Sequence, residues 1–106
     1  MLLSLSRSGL WQVLATLACL ESAEFAQAWL GQDHAYGTIP RSKINPNGSS
    51  IAIGHPFAAT GGRLVGSLAN TLRRTGQRYG LISICAAGGM GGVMILENTA
   101  AARSAE

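Results

Sequence analysis

The chain has 106 residues, 47% of them hydrophobic and 12% charged, which fits one domain with a buried apolar core and some apolar surface left for a partner. Eight Lys and Arg against five Asp and Glu give a net charge of +3, scattered except for Arg73 and Arg74 with Arg78 nearby, so no basic stripe interleaved with aromatics marks a nucleic-acid surface. Two cysteines, Cys19 and Cys85, make neither a CxxC pair nor a disulfide framework, and with His34 and His55 they lack metal-ligand spacing, which argues against zinc.

Residues 1–11 show no periodicity and read as an unpacked leader. MLLSLSRSGLWQVLATLACL has the basic residue and apolar run of a secretory signal, but Leu10 to Leu20 is shorter than the roughly 20 residues that span a bilayer. The reading adopted is an amphipathic helix from Gln12, with Val13, Leu14, Leu17, Ala18 and Leu20 on its apolar side. Ser22 with Glu24 behind it starts a second helix whose buried stripe is expected to be Phe25, Ala26, Trp29 and Leu30, ended by Gly31. From Gln32 to Lys43 the chain is polar and broken by Gly37 and Pro40, a surface connection in which His34 is solvated.

SSIAI at 49–53 then reads as a short β-branched strand, GHPFAA as a turn, and Thr60 as the N-cap of a helix from Gly61 to Thr75. Leu64, Val65, Leu68 and Leu72 share its face, Gly76 supplies a left-handed end, and Arg73 and Arg74 suit the negative pole of its dipole. GHPFAATGGR lacks the Lys-Ser/Thr ending of a phosphate loop and fails the dinucleotide fingerprint. YGLISIC is apolar at consecutive positions, as a central strand should be. After AAGGMGG, VMILE resumes as a second buried strand. So short a link requires an antiparallel hairpin, because a parallel crossover takes about a dozen residues. The strands are thus expected near 50–53, 79–85 and 91–97, with 98–106 a disordered tail.

Two side chains carry chemistry. His55 and Cys85 each stand where an apolar segment gives way to a glycine-rich turn, the position from which a sheet delivers groups to a crevice at its strand ends. A thiol titrates at roughly 8.5 and an imidazole at about 6.5, so modest perturbation lets either exchange a proton near neutrality. The plainer alternatives are a histidine satisfying turn backbone and a cysteine acting as a small buried hydrophobe.

From about Gln12 to Glu97 the chain resembles the carboxy-terminal end of a thiolase, closest to the long-chain 3-ketoacyl-CoA type found in the β subunit of trifunctional fatty-acid oxidation complexes. The resemblance rests on three blocks in order: KINPNGSSIAIGHPFAATGGR, then LRRTGQRYG, then LISICAAGGMGGVMILE. It implies an α/β fold: the carboxy-terminal portion of a layered αβα domain, with about three strands in a mixed sheet ending in an antiparallel hairpin and two to three helices. Residues 1–11 are then an unmatched leader and 12–97 the domain fragment.

What the resemblance implies for function is acyl transfer between 3-ketoacyl-CoA and coenzyme A in fatty-acid β-oxidation. Coenzyme A enters as substrate, with no cofactor and no metal. The residue matching His55 activates a nucleophilic thiol and holds a thioester oxygen; the one matching Cys85 is the acid/base on the acetyl-CoA α-carbon or on the thiol of coenzyme A. The backbone N–H of Ala87 corresponds to an oxyanion donor, and Gly54, Pro56, Gly88 and Gly89 shape the supporting turns. The family's nucleophilic cysteine belongs to an amino-terminal half that these residues do not include, and Cys19 has no matching context. Ser8, Gly9, Leu10 and Trp11 stand where the Asn/His-Glu-Ala-Phe segment is expected, and Ser49 replaces a common glycine.

The expectation is therefore an acyltransferase that is inactive as this fragment alone, with coenzyme A thioesters and the other thiolase half or another thiolase subunit as partners. The alternative is a non-catalytic thiolase-like fragment or interaction module. Cytoplasm is the default location, with mitochondrion the alternative suggested by Arg7 and the serines around it.

Overall fold

The computed structural model describes residues 1–6 and 10–104. YGLISICA, apolar on both sides of its pleat, forms the central strand β2 (Tyr79–Ala86) of a three-stranded sheet. On one edge β1 (Leu2–Ser6) runs parallel to it, in a register from Leu2↔Gly80 to Ser6↔Ile84. On the other, β3 (Met90–Glu97) returns antiparallel, from Tyr79↔Glu97 to Ala86↔Met90. Beyond β1 the chain touches the sheet once more, where the N–H of Asn45 donates to Leu3 O at 2.8 Å and Ile44 bridges Leu3.

Helices cover both faces, giving the αβα layering. The long helix α4 (Thr60–Thr75) lays Leu64, Leu68 and Leu72 on Leu2 and Ile82. Removing each of these leucines from water contributes roughly 1.5–3 kcal/mol. Gly80 sits directly beneath Leu68, close enough that a Cβ there would meet the leucine at 2.8 Å. On the opposite face α1 (Leu10–Glu21) packs Val13 and Leu17 on Leu3, with Ile39, Ile44 and Leu81 alongside. The next helix, α2 (Ala23–Trp29), is capped by Ser22, whose Oγ accepts from the Phe25 N–H at 3.0 Å. Gly76 ends α4 in the left-handed region with φ 68°, Arg73 and Arg74 occupy its last turn, and the antiparallel hairpin forms as the short link requires. No helix among the described residues is long and apolar enough to cross a membrane.

The sequence expectations fail at several places. Residues 50–53 are a single helical turn, α3 (Ser50–Ile53), not a strand. The slot beside β2 is taken by Leu2–Ser6, so the segment expected to be an unpacked leader supplies the third strand and α1 starts at Leu10; Arg7, Ser8 and Gly9 lie outside the described residues. Thr60 is the first residue of α4 rather than its cap. Two expected burials are reversed. In the expected stripe of α2, Trp29 is 77% and Leu30 43% exposed because this seven-residue helix meets chiefly α1, burying Ala26 alone. Along β3 only Leu96 is partly buried, packed against the α4 cluster, and Val93 on this edge strand is 69% exposed.

The expected tail is also built. Asn98 donates through its backbone N–H to Arg78 O at 2.7 Å and through Nδ2 to Leu72 O at 3.1 Å, and its Oδ1 caps a further helix, α5 (Thr99–Arg103). Residues 105 and 106 lie outside the described residues. With α3 and α5 the helices exceed the two or three expected.

Candidate active site

The turn that presents His55 is held by backbone geometry on both sides. Ahead of it, Gly54 closes α3 with φ 84° and ψ 177°, angles open to glycine and costly for other residues. Behind it, the carbonyl of Pro56 accepts from the N–H groups of Ala59 and Thr60 at 3.3 and 3.2 Å and from the Thr60 hydroxyl at 3.0 Å. Between them Ala58 adopts φ 65°, left-handed for a residue with a Cβ. Phe57 stands edge-on to the imidazole, ring centroids 5.8 Å apart at 84°.

Cys85 comes from the end of β2, opposite Gly91, just before the hairpin link. Two successive left-handed glycines, Gly88 at φ 78° and Gly89 at φ 73°, carry that link around. The two groups therefore arrive from different elements at the same end of the sheet. The Nε2–H of His55 donates to the Cys85 carbonyl at 3.0 Å, and the same nitrogen lies 3.7 Å from Cys85 Sγ. The imidazole Nδ1 is buried and has no partner among the described residues. Both side chains are half-buried, and Cys85 is a free thiol.

Two open clefts meet at this pair. One, of about 430 Å³, is lined also by Gln12, Ala87, Gly89 and Met90; the other, of about 450 Å³, runs past Thr60, Gly61 and Ile84. Among the described residues no Asp, Glu, Lys or Arg lines either, so those that do line them would meet charge arising there with the imidazole and with backbone dipoles. The arrangement can hold a thiolate against an N–H donor and pass a proton to or from a group lying in either cleft.

Of the residues singled out from sequence, His55, Cys85, Ala87 and Gly89 are brought to one place, with Gly54, Pro56 and Gly88 in the turns that deliver them. Cys19 sits on α1 and lines neither cleft, and His34 is exposed, paired with Asp33 at 2.6 Å. Among the described residues no three His, Cys, Asp or Glu side chains are grouped to hold a metal ion. Sequence reasoning missed Gln12, Phe57 and the clamping role of Thr60. Phe57 had a signal, since it stands two residues after the histidine on a turn.

Residues 4–98 match the family described as thiolase, C-terminal domain. The 3-ketoacyl-CoA thiolase of Klebsiella pneumoniae is 51% identical over 86 residues, which cover 81% of this chain and 20% of that protein. That of Escherichia coli O6:K15:H31 is 50% identical over the same length and the same shares. Among solved structures, the Bacillus anthracis acetyl-CoA acetyltransferase superposes with a TM-score of 0.68 at 31% identity, over 91% of this chain and 20% of that one. Human mitochondrial 3-ketoacyl-CoA thiolase gives 0.67 at 30%, over 92% of this chain and 21% of that one. The chain thus spans about a fifth of the length of the relatives it matches.

Proposed function

The chain belongs to the thiolase family, and on that premise we propose that it supplies the acid/base half of an active site that transfers an acyl group between a 3-ketoacyl-CoA and coenzyme A. One observation carries the reading: a single imidazole nitrogen at 3.0 Å from the carbonyl and 3.7 Å from the sulfur of Cys85, at the junction of two clefts.

In the proposed reaction a cysteine from the rest of the assembled enzyme, already ionised to its thiolate, attacks the 3-keto carbonyl. The carbon–carbon bond breaks, and the electron pair leaves on the α-carbon of acetyl-CoA, which takes a proton from the Cys85 thiol. The resulting Cys85 thiolate lies within reach of the His55 Nε2–H, which stabilises it. The Cys85 thiolate then takes the proton of incoming coenzyme A, whose sulfur attacks the acyl-enzyme thioester, expelling the nucleophilic cysteine as its thiolate and releasing the shortened acyl-CoA. The Ala87 N–H, in the hairpin link lining the first cleft, is placed to donate to the oxyanion that forms in one of these steps.

These 106 residues contain no counterpart of the family's nucleophilic cysteine, and the partner proposed for the site is the amino-terminal half of a thiolase. We place the reaction in fatty-acid β-oxidation, in the cytoplasm. Mixing the chain with a separately expressed amino-terminal half tests the reading. Thiolysis of acetoacetyl-CoA or a longer 3-ketoacyl-CoA appears only in the mixture; a mixture that assembles and stays inactive contradicts it.

A further inference from the structure

We propose that Arg63 is a positioning residue for His55, acting through Ser50; this rests on the reading of His55 and Cys85 as the reactive pair. The segment that delivers His55 is the four-residue turn α3, far below the length at which a helix holds itself. Burial along it is inverted. Ser50 is 3% exposed, whereas Ile51 and Ile53 are 49% and 67% exposed, so its isoleucines do not anchor it.

One side chain that reaches α3 from the body of the fold is Arg63, whose Nη2–H donates to Ser50 Oγ at 2.9 Å. Arg63 stands in the first turn of α4, three residues after Thr60, which clamps Pro56. One helical turn therefore grips the His55 loop on both sides, at Ser50 upstream and at Pro56 downstream.

Two features make the upstream grip matter. Gly54, the link between α3 and His55, has nothing within 4 Å of where a Cβ would be, so no packing at that position adds to the hold that α3 has on the histidine. The guanidinium also accepts an unfavourable setting. Among the described residues its buried Nε has no partner and no carboxylate pairs with it. A rigid planar fork turned to reach Ser50 carries its Nε into whatever position results, and an orphaned buried donor calls for such an explanation. Beside it an open cleft of about 60 Å³ is lined by Arg63 together with Asn47, Ile53 and Thr71, so truncating Arg63 enlarges it next to the end of α3.

The test is made on the 106-residue chain, folded by circular dichroism, with iodoacetamide as probe. The rate of alkylation is read at the Cys85 peptide by mass spectrometry, alongside the ¹⁵N resonances of the His55 ring. Arg63→Ala slows alkylation about fivefold, the effect of one lost hydrogen bond on the thiolate, as does His55→Ala. Arg63→Lys recovers most of the rate, and Arg74→Ala, which removes an exposed charge from the same helix, leaves it unchanged. Arg63→Ala also shifts the His55 ring resonances. A folded Arg63→Ala chain with the unaltered rate and ring spectrum overturns the proposal. Should that variant fail to fold, Ser50→Ala decides by the same two readouts. If His55→Ala leaves the rate unchanged, the reactive pair itself is refuted, while the ring spectrum still decides whether Arg63 positions His55.

Discussion

One ring nitrogen of His55 faces two atoms of Cys85, the carbonyl oxygen at 3.0 Å and the sulfur at 3.7 Å. A neutral imidazole that donates from Nε2 keeps its lone pair on Nδ1, which is buried here without a partner among the described residues. His55 thus meets Cys85 as a donor. It stabilises a thiolate from this position, and to take the thiol proton at Nε2 it must first release the carbonyl. A long-range proton–nitrogen correlation spectrum should show His55 as the Nε2–H tautomer. Finding the proton on Nδ1 would refute the bond to the Cys85 carbonyl.

Gly80 is required by the helix above it. A Cβ would meet Leu68 at 2.8 Å, and Leu68 is itself buried in the α4 cluster and has little room to withdraw. Gly80→Ala should cost about 1–3 kcal/mol in urea unfolding. The double variant with Leu68→Ala should be less destabilised than the sum of the two single changes, since shortening the leucine removes the clash. Strict additivity would mean that α4 does not press on β2 there.

The turn after His55 carries strain that a single atom group explains. Ala58 sits at φ 65°, which costs a residue with a Cβ roughly 1–2 kcal/mol, partly offset by the greater freedom glycine has when unfolded. Ala58→Gly should therefore raise stability by about 0.5–1 kcal/mol. A loss of stability would show that the left-handed turn is not populated in solution.

Much of the site was legible in the sequence, because it depends on local signals. GHPFAAT and CAAGGMGG announce their turns through glycine and proline, and one amphipathic helix between them sets the distance over which the two ends can meet. What escaped was decided by competition between distant segments. SSIAI has strand propensity, but the place beside β2 went to Leu2–Ser6, leaving Ile51 and Ile53 in solvent and the serines inside. VMILE is apolar enough for a buried strand, but its pattern could not say what covers it, and most of its side chains are exposed. Asn98 looked like the start of a loose tail, yet its amide reaches the end of α4 across 26 residues.

The exposed face of β3 has its own consequence. Val93 and Ile95 point from an open edge strand, the situation that favours strand-to-strand association. Replacing both by Thr should change stability by no more than about 0.5 kcal/mol per site and lower self-association measured by light scattering. A large loss of stability would show that these side chains are covered within the chain.

The claim that His55 and Cys85 form the acid/base pair of a thiolase site is tested most directly by grafting. Residues 4–98 of this chain replace the matching segment of the Escherichia coli relative, and thiolysis of a 3-ketoacyl-CoA is followed by its loss of absorbance. The chimera should turn over, and His55→Ala or Cys85→Ala within the graft should each lower kcat by about 10²–10⁴-fold, the contribution of a positioned proton-transfer group. A folded chimera that keeps its rate with either residue replaced, or that has no activity with both in place, would contradict the assignment.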